Sequence, residues 1–247
     1  MACSDELLAG IATLAKTCDV PTHVHSHISE SSAEAHVAFF HRSETQRLQD
    51  AGMLDARCTL MHAGWLSEDD IAAFRRAGVT VNHNPVGNAM LGFGTVRAGS
   101  VPWLLAAGVP IVIGSDFAPF TISTVFEAMH ATLLLHRDLL AADNALTLEQ
   151  ALTMATNGSV PLGRVGQLGA VRVGLRADLI LVDTTGAHHL GVDHPVPALA
   201  LNGRAADVTT VIVDGRLVID QRQLVGIDEH EIAEAANRAM AVVAHHA

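Results

Sequence analysis

The feature that most constrains this chain is an alternation, from residue 4 to about 141, of short β-rich runs with amphipathic helical stretches. That pattern argues for βα units feeding a parallel sheet. Four runs read as strands: "VPTHVHSH", "CTLMHA", "VTVNHN" and "VPIVIGSD". The fourth is almost continuously apolar, as a strand covered on both faces should be. Between them, helices are expected at about 4 to 17, with Ser4 as N-cap, at about 31 to 51, over "SEDDIAAFRRAG" and over the short "VPWLLAAG". In the third of these, Ser67 is the cap, acids occupy the first turn and Gly78 ends the helix. A further helix begins at "TLEQ", where Thr147 and Gln150 have the spacing of a capping box.

After about residue 160 the character changes to short strands with glycine punctuation, "GAVRVGLRADLILVD" and "VTTVIVDGRLVID". The "DG" at 214 to 215 reads as a hairpin turn. These strands look too few for a stable sheet alone, which predicts partner strands or an exposed edge. An Ala-rich amphipathic helix is expected over about 228 to 245. The chain therefore divides into 1–160, 161–225 and 226–247, and its fold class is α/β.

Charge and cysteine content exclude several kinds of function. With 15 Lys+Arg against 26 Asp+Glu the formal net charge is −11, and no basic stripe is present, which argues against a nucleic-acid partner. No apolar run approaches the roughly 18 residues of a membrane span, and the N-terminus has acids where an export signal carries its basic end. Cys3, Cys18 and Cys58 contain no CxxC pair and suggest no disulfide framework. A reducing cytoplasm is the expected compartment, and small-molecule chemistry the expected task.

Each of the four strands ends in a chemically capable residue: His27, then His62, then His83 with Asn84, then Asp116. In barrels of alternating β and α units, catalytic groups gather at the C-terminal ends of strands. Imidazole and carboxylate are common ligands of a divalent ion that activates water, so His27 and Asp116 are the natural metal ligands. Glu30 is placed to take the water's proton and deliver it to a leaving amine. His62 is placed to polarise the substrate. Each residue also has a plainer reading. Glu30 suits the first turn of a helix, Asp116 suits a helix N-cap before "FAPFTIST", and His62 and His83 could be packed strand histidines. His23 reads as structural, and His25 stands between the two readings.

Taken together, the motifs resemble the amidohydrolase superfamily, in the branch of triazine hydrolases, guanine and cytosine deaminases, and S-adenosylhomocysteine or methylthioadenosine deaminases. "HSHISE" resembles that family's HxHxxE strand end, "LMHAGWLS" its AH-x-x-x-L-(S/T) segment, "VNHNPVGNAMLGFG" its H-(C/N)-P-x-x-N loop and "GSD" its metal strand. "GLRADLILVD" and "VIVDGRLV" resemble the sandwich segments after the barrel. The resemblance implies a partial TIM (β/α)8 barrel, about strands 5 to 8, followed by a small β-sandwich-like element and a C-terminal helix. It implies His27 and Asp116 as metal ligands, Glu30, His62 and Asp116 as catalytic groups, and His83, Asn84 and Asn88 around the substrate. The reaction implied is attack of metal-activated water, with zinc or iron as the ion, on a C–N bond of a nitrogen heterocycle, releasing ammonia or an amine. Family members carry another HxH pair on their first barrel strand, which is absent from this chain. A missing N-terminal half, a homo-oligomer, or a non-catalytic interaction module are the corresponding expectations.

Overall fold

Four parallel strands in sequential order, β1 (Thr22–Ser26), β2 (Cys58–His62), β3 (Thr80–His83) and β4 (Ile111–Ile113), form one sheet. The computed structural model describes residues 3–116 and 124–244. The segment "FAPFTIS" at 117–123, which Asp116 would cap in its plainer reading, and the pair His245 and His246 lie outside the described residues.

The strands are joined by helices whose ends the sequence encodes locally. α1 (Asp5–Cys18) starts at Ser4, whose hydroxyl accepts from the Leu7 amide at 3.2 Å. The single helix expected at 31 to 51 is in fact two, α2 (Glu30–Phe40) and α3 (Glu44–Asp50). His41 takes a left-handed conformation at the end of α2, and Ser43 with Gln46 then forms a capping box that starts α3. A left-handed residue ends a helix, and a reciprocal cap begins another. α4 (Glu68–Ala77) has the expected Ser67 cap and the left-handed Gly78.

Past β3 the loop "PVGNAM" is helical, α5 (Pro85–Met90), with Pro85 in the first turn where its missing N–H costs nothing. α6 (Thr95–Ala98) and α7 (Ser100–Ala106) lead into β4. α8 (Val125–Leu140) and α9 (Leu148–Thr156) follow, the latter with the Thr147–Gln150 capping box.

Register defines what each face of the sheet carries. Val24 pairs with Leu60, Leu60 with Val81 and Val81 with Ile111, an apolar row that joins the core with Phe74, Leu104, Met129 and Leu133. Side chains alternate faces with period two, so the other face carries His23, His25, Met61 and Asn82.

The second sheet is antiparallel, β5 (Leu179–Val182), β6 (Val208–Val213), β7 (Arg216–Asp220) and β8 (Gln223–Leu224). Asp214 and Gly215, at φ 50° and 77°, make its hairpin turn with two left-handed residues, as a type I′ turn requires. Ile180, Leu181, Leu217 and Val218 of this sheet are exposed. Between the sheets, one-turn α10 (Pro195–Pro197) leads to Ala198 and Ala200, which are buried, Ala200 within the main core. The last helix, α11 (Glu229–Ala244), is exposed along its length through Val243.

Candidate functional site

Three of the four strand ends share a backbone peculiarity. His27, His62 with Ala63, and Asp116 all have positive φ, at 51°, 71°, 42° and 65°. Left-handed conformations are uncommon for residues with a Cβ, and such strained positions concentrate at functional sites. The consequence is geometric: each of these side chains leaves the alternation of its strand and takes a direction set by the turn.

His62 is the centre of a hydrogen-bonded row. It is buried, and its Nδ1 donates to Asn88 Oδ1 at 2.6 Å, while Asn88 Nδ2 donates to Thr95 Oγ1 at 2.9 Å. With the Nδ1 proton committed, Nε2 of a neutral His62 is an acceptor, and His25 Nδ1 donates to it at 2.8 Å. That tautomer leaves His25 with a bare Nε2 lone pair. Burial holds the His62 pKa below the usual histidine value, against the Asn88 hydrogen bond and the Asp116 charge, which raise it. His62 therefore sits neutral at pH 7, the state suited to accepting and relaying rather than carrying charge.

Asp116 lies beside this row, and its Oδ2 is buried with no hydrogen-bond partner among the described residues. A buried carboxylate oxygen without a donor is costly. Its space is defined by Gly87: a Cβ there would stand 2.2 Å from Asp116 Oδ2. Gly114 is similarly constrained, since a Cβ would fall 2.3 Å from Asn84 Oδ1 and 2.5 Å from Asn82 Oδ1. Only glycine allows the α5 backbone and the end of β4 to approach these polar groups so closely.

His27 points elsewhere. Its ring is buried, its Nδ1 is hydrogen-bonded to Ser26 Oγ at 2.5 Å, and Thr45 Oγ1 on α3 is 3.2 Å from its Nε2. Its backbone N–H donates to Glu44 Oε2 at 2.9 Å, and Asp70 Oδ1 on α4 is 4.0 Å from Nε2. Burial lowers its pKa, with Glu44 and Asp70 opposing that shift. The ring borders an open cleft of about 630 Å³ that Glu34, Trp65 and Ser67 also line. His27 thus keeps company with α3 and α4, whereas His62 and Asp116 keep company with α5.

The remaining sequence candidates are placed as follows. Glu30 is the first residue of α2, exposed, with its Oε2 accepting from Arg97 Nη2 at 3.3 Å. Asn84 and Asn88 are both buried, and Asn88 acts on His62 as described. His83 is buried with the parity of Val81, its ring centroid 5.2 Å from that of His136 on α8. Among the described residues neither of its nitrogens has a partner, and burial, with His136 and His62 adding to it, pulls its pKa down to about 3.

Two partners were not singled out from sequence: Thr95, which orients Asn88, and Gly87, which makes room for Asp116. The spacing of His23 and His25 did hold one clue, since alternate strand residues share a face, whereas His27 lies past the end of β1. The donor chemistry of the row suits a divalent ion in part: an imidazole lone pair on His25 and an unpartnered buried oxygen on Asp116 are both available. His27, Asp116 and a third donor do not converge to within 4.8 Å among the described residues.

Sequential parallel strands, three of them followed by polar left-handed residues, define the class: an α/β protein with a candidate site at the carboxyl ends of its strands. Comparison with known proteins gives the family. The amidohydrolase family matches residues 1–218, and the chain belongs to that family. It is 33% identical over 218 residues to a 5-methylthioadenosine/S-adenosylhomocysteine deaminase of Acetivibrio thermocellus, covering 87% of this chain and 50% of that protein. It is 33% identical over 240 residues to a 5'-deoxyadenosine deaminase of Methanosarcina mazei, covering 96% of this chain and 54% of the other. Among solved structures, an adenosine deaminase from Xanthomonas campestris with bound zinc matches with TM-score 0.89 and 26% identity, over 95% of this chain and 53% of that one. Atrazine chlorohydrolase from Arthrobacter aurescens, complexed with zinc, shares the fold with TM-score 0.84 and 24% identity, over 95% and 52%. The chain spans about half the length of the curated relatives it matches. Among the described residues no helix is long and apolar enough to cross a membrane.

Proposed function

We propose that this chain supplies one side of a metal-dependent hydrolytic site that removes an amino group from a nitrogen heterocycle, of the adenosine-derivative class named for its relatives. The observation that carries the reading is the buried, unpartnered Asp116 Oδ2 beside the His25–His62–Asn88 row at the strand ends. In this reading β1 to β4 are an arc of a (β/α)8 barrel formed by residues 1–160. Residues 161–225 are the small β element and 226–247 the terminal helix. The rest of the site comes from residues that correspond to the other half of the relatives' length.

Asp116 and His27 would hold the ion, which is zinc in two structural neighbours. Bound there it would lower the pKa of a coordinated water toward about 7 and polarise the carbon under attack. The chain's own residues do the rest. Asp116 would offer Oδ2 to the ion in a space kept open by Gly87. His62, its tautomer set by Asn88, would serve the reacting centre through Nε2, the atom that accepts from His25, once that hydrogen bond is exchanged for one to substrate or water. Glu30, paired among the described residues with exposed Arg97, swings to carry a proton from water to the departing nitrogen. His83, Asn84 and Asn88 shape the substrate side of the pocket.

A second reading concerns the imidazole. His25, not His27, lies against His62, so the ligand from β1 is either His27 after its ring leaves Thr45, or His25 as it stands. Zinc content of His25→Ala and His27→Ala separates them, since only the ligand's loss lowers it.

The function is tested by coexpressing this chain with the first half of the Methanosarcina mazei relative and assaying ammonia release from 5'-deoxyadenosine. Turnover in the pair and none in the chain alone is the expected result. Turnover by the chain alone would overturn the need for a second half, and none in an assembled, zinc-loaded pair would overturn the deaminase reading.

A further inference from the structure

A second cluster of ligating side chains lies outside the strand-end row, where the chain enters β6. His188 and His189 sit in the 3₁₀ turn Ala187–His189, and Asp207 ends the 3₁₀ turn Ala205–Asp207. His188 Nε2 is 3.0 Å and His189 Nε2 3.2 Å from the same oxygen, Asp207 Oδ2. Among the described residues this is the one group of three His, Cys, Asp or Glu side chains whose ligand atoms all lie within 4.8 Å of one another. We propose that His188, His189 and Asp207 bind a divalent transition-metal ion, separate from the catalytic centre.

The spacing suits coordination. Ligand atoms at about 2.0–2.2 Å from an ion stand about 3.0–3.5 Å apart at the edges of an octahedron or tetrahedron, and both nitrogen-to-oxygen separations fall in that range. Two imidazoles and one carboxylate favour zinc, cobalt or nickel over magnesium or calcium, which prefer oxygen.

The exposure also suits a site with water in its remaining positions. The His189 and Asp207 side chains are 1% and 10% exposed, whereas His188 is 24% exposed and gives the ion a way in.

The supports are built into the backbone. Arg204 N–H donates to Asp207 Oδ2 at 2.9 Å and fixes the carboxylate. Asp183 N–H donates to the Asp207 carbonyl at 2.8 Å, which ties the turn to the end of β5. Asn202 Nδ2 donates to the His188 carbonyl and holds the histidine turn in place. Gly186 lets the His188 ring fold back over the chain, since a Cβ there would meet Cε1 at 2.8 Å. Partners of this kind orient ligands and are part of a site's affinity. An ion here would fasten the 186–207 segment to the entry of the antiparallel sheet, whose strands carry no buried residue.

The test is titration of the metal-stripped 247-residue chain with Co²⁺, with visible absorbance as readout, in a background where His245 and His246 are replaced by alanine. His188→Gln, which alters the most exposed ligand and leaves the buried pair intact, is expected to weaken one Co²⁺ equivalent by about 100-fold or more. Asp116→Asn is expected to keep that equivalent. Co²⁺ at 100 times Kd should raise the parent's Tm by at least about 5 °C and leave that of His188→Gln unchanged. If His188→Gln binds cobalt as the parent does, or cobalt shifts both melting temperatures equally, the cluster is a hydrogen-bonded joint and the proposal is wrong.

Discussion

The two sheets of this chain bury their strands to very different degrees. In the parallel sheet Cys58, Thr59, Leu60, Thr80 and Val81 are fully enclosed, and unpartnered polar atoms accumulate around Asp116, His83 and Asn84. In the antiparallel sheet no strand residue is buried, and Ile180 and Leu181 are more than half exposed. The difference teaches where selection for chemistry can act. Buried, unsatisfied polar groups are tolerated only where dense packing over-determines them, and only the parallel sheet supplies that packing.

The largest expected effect breaks this comparison on its chemical side. Asp116→Asn removes the charge but keeps the shape, so ammonia release by the complemented enzyme should fall at least about 10³-fold, equivalent to about 4 kcal/mol. The same assay on Asp220→Asn, in exposed β7, should show no change. Equal losses would mean that the strand-end row holds no special role.

Leu60→Ala removes a side chain at 0% exposure from the row that links β1 to β4. Urea unfolding should report a loss of about 2–5 kcal/mol. A cost under about 1 kcal/mol would show that the parallel sheet is no better packed than the antiparallel one.

Acid should unfold the chain through the parallel sheet first. His83 has a folded pKa of about 3, below its unfolded value near 6.5, so the unfolded state binds the proton more readily. Its contribution is fully present above pH about 6.5 and is lost as pH falls toward 3. Between pH 6.5 and 5 the loss from His83 alone is about 2 kcal/mol. Burial depresses His136 and His27 as well, and their effects have the same sign. Denaturant midpoints across that pH range should fall steeply for the parent and less steeply for His83→Asn, and identical slopes would count against the buried-neutral assignment.

Ile180→Ala, on the open face of β5, is expected to change stability by no more than about 0.5 kcal/mol in this chain. Its cost should rise once the chain is paired with the other half of a relative, if that half covers the sheet. Calorimetry of both states reads the difference.

Much of the parallel unit could be read from the chain itself. Ser4, Ser67 and Thr147 cap helices as their local sequences indicate, because a cap is a contact between residues three apart. The break at His41 to Ser43 was not evident, since two weak amphipathic segments joined by a left-handed residue resemble one helix. The strand ends at His27, His62, His83 and Asp116 were evident because a polar group closes each apolar run. Where those groups point was not. The direction of His27 depends on a left-handed backbone and on Thr45, a residue of another helix, and His62 is oriented by Asn88 and Thr95 from beyond the next strand.

The amino-acid order alone determined the alternating elements, the capped helices, the polar strand ends and, through the motifs around them, the family resemblance. These depend on periodicity and short-range contacts, which survive in one dimension. Only the tertiary structure decided that His25 rather than His27 touches His62, that Asp116 stands unpartnered against Gly87, and that His188, His189 and Asp207 converge. Each of those facts joins residues brought together by sheet register, a positive φ or a turn, and none of these is set by sequence distance.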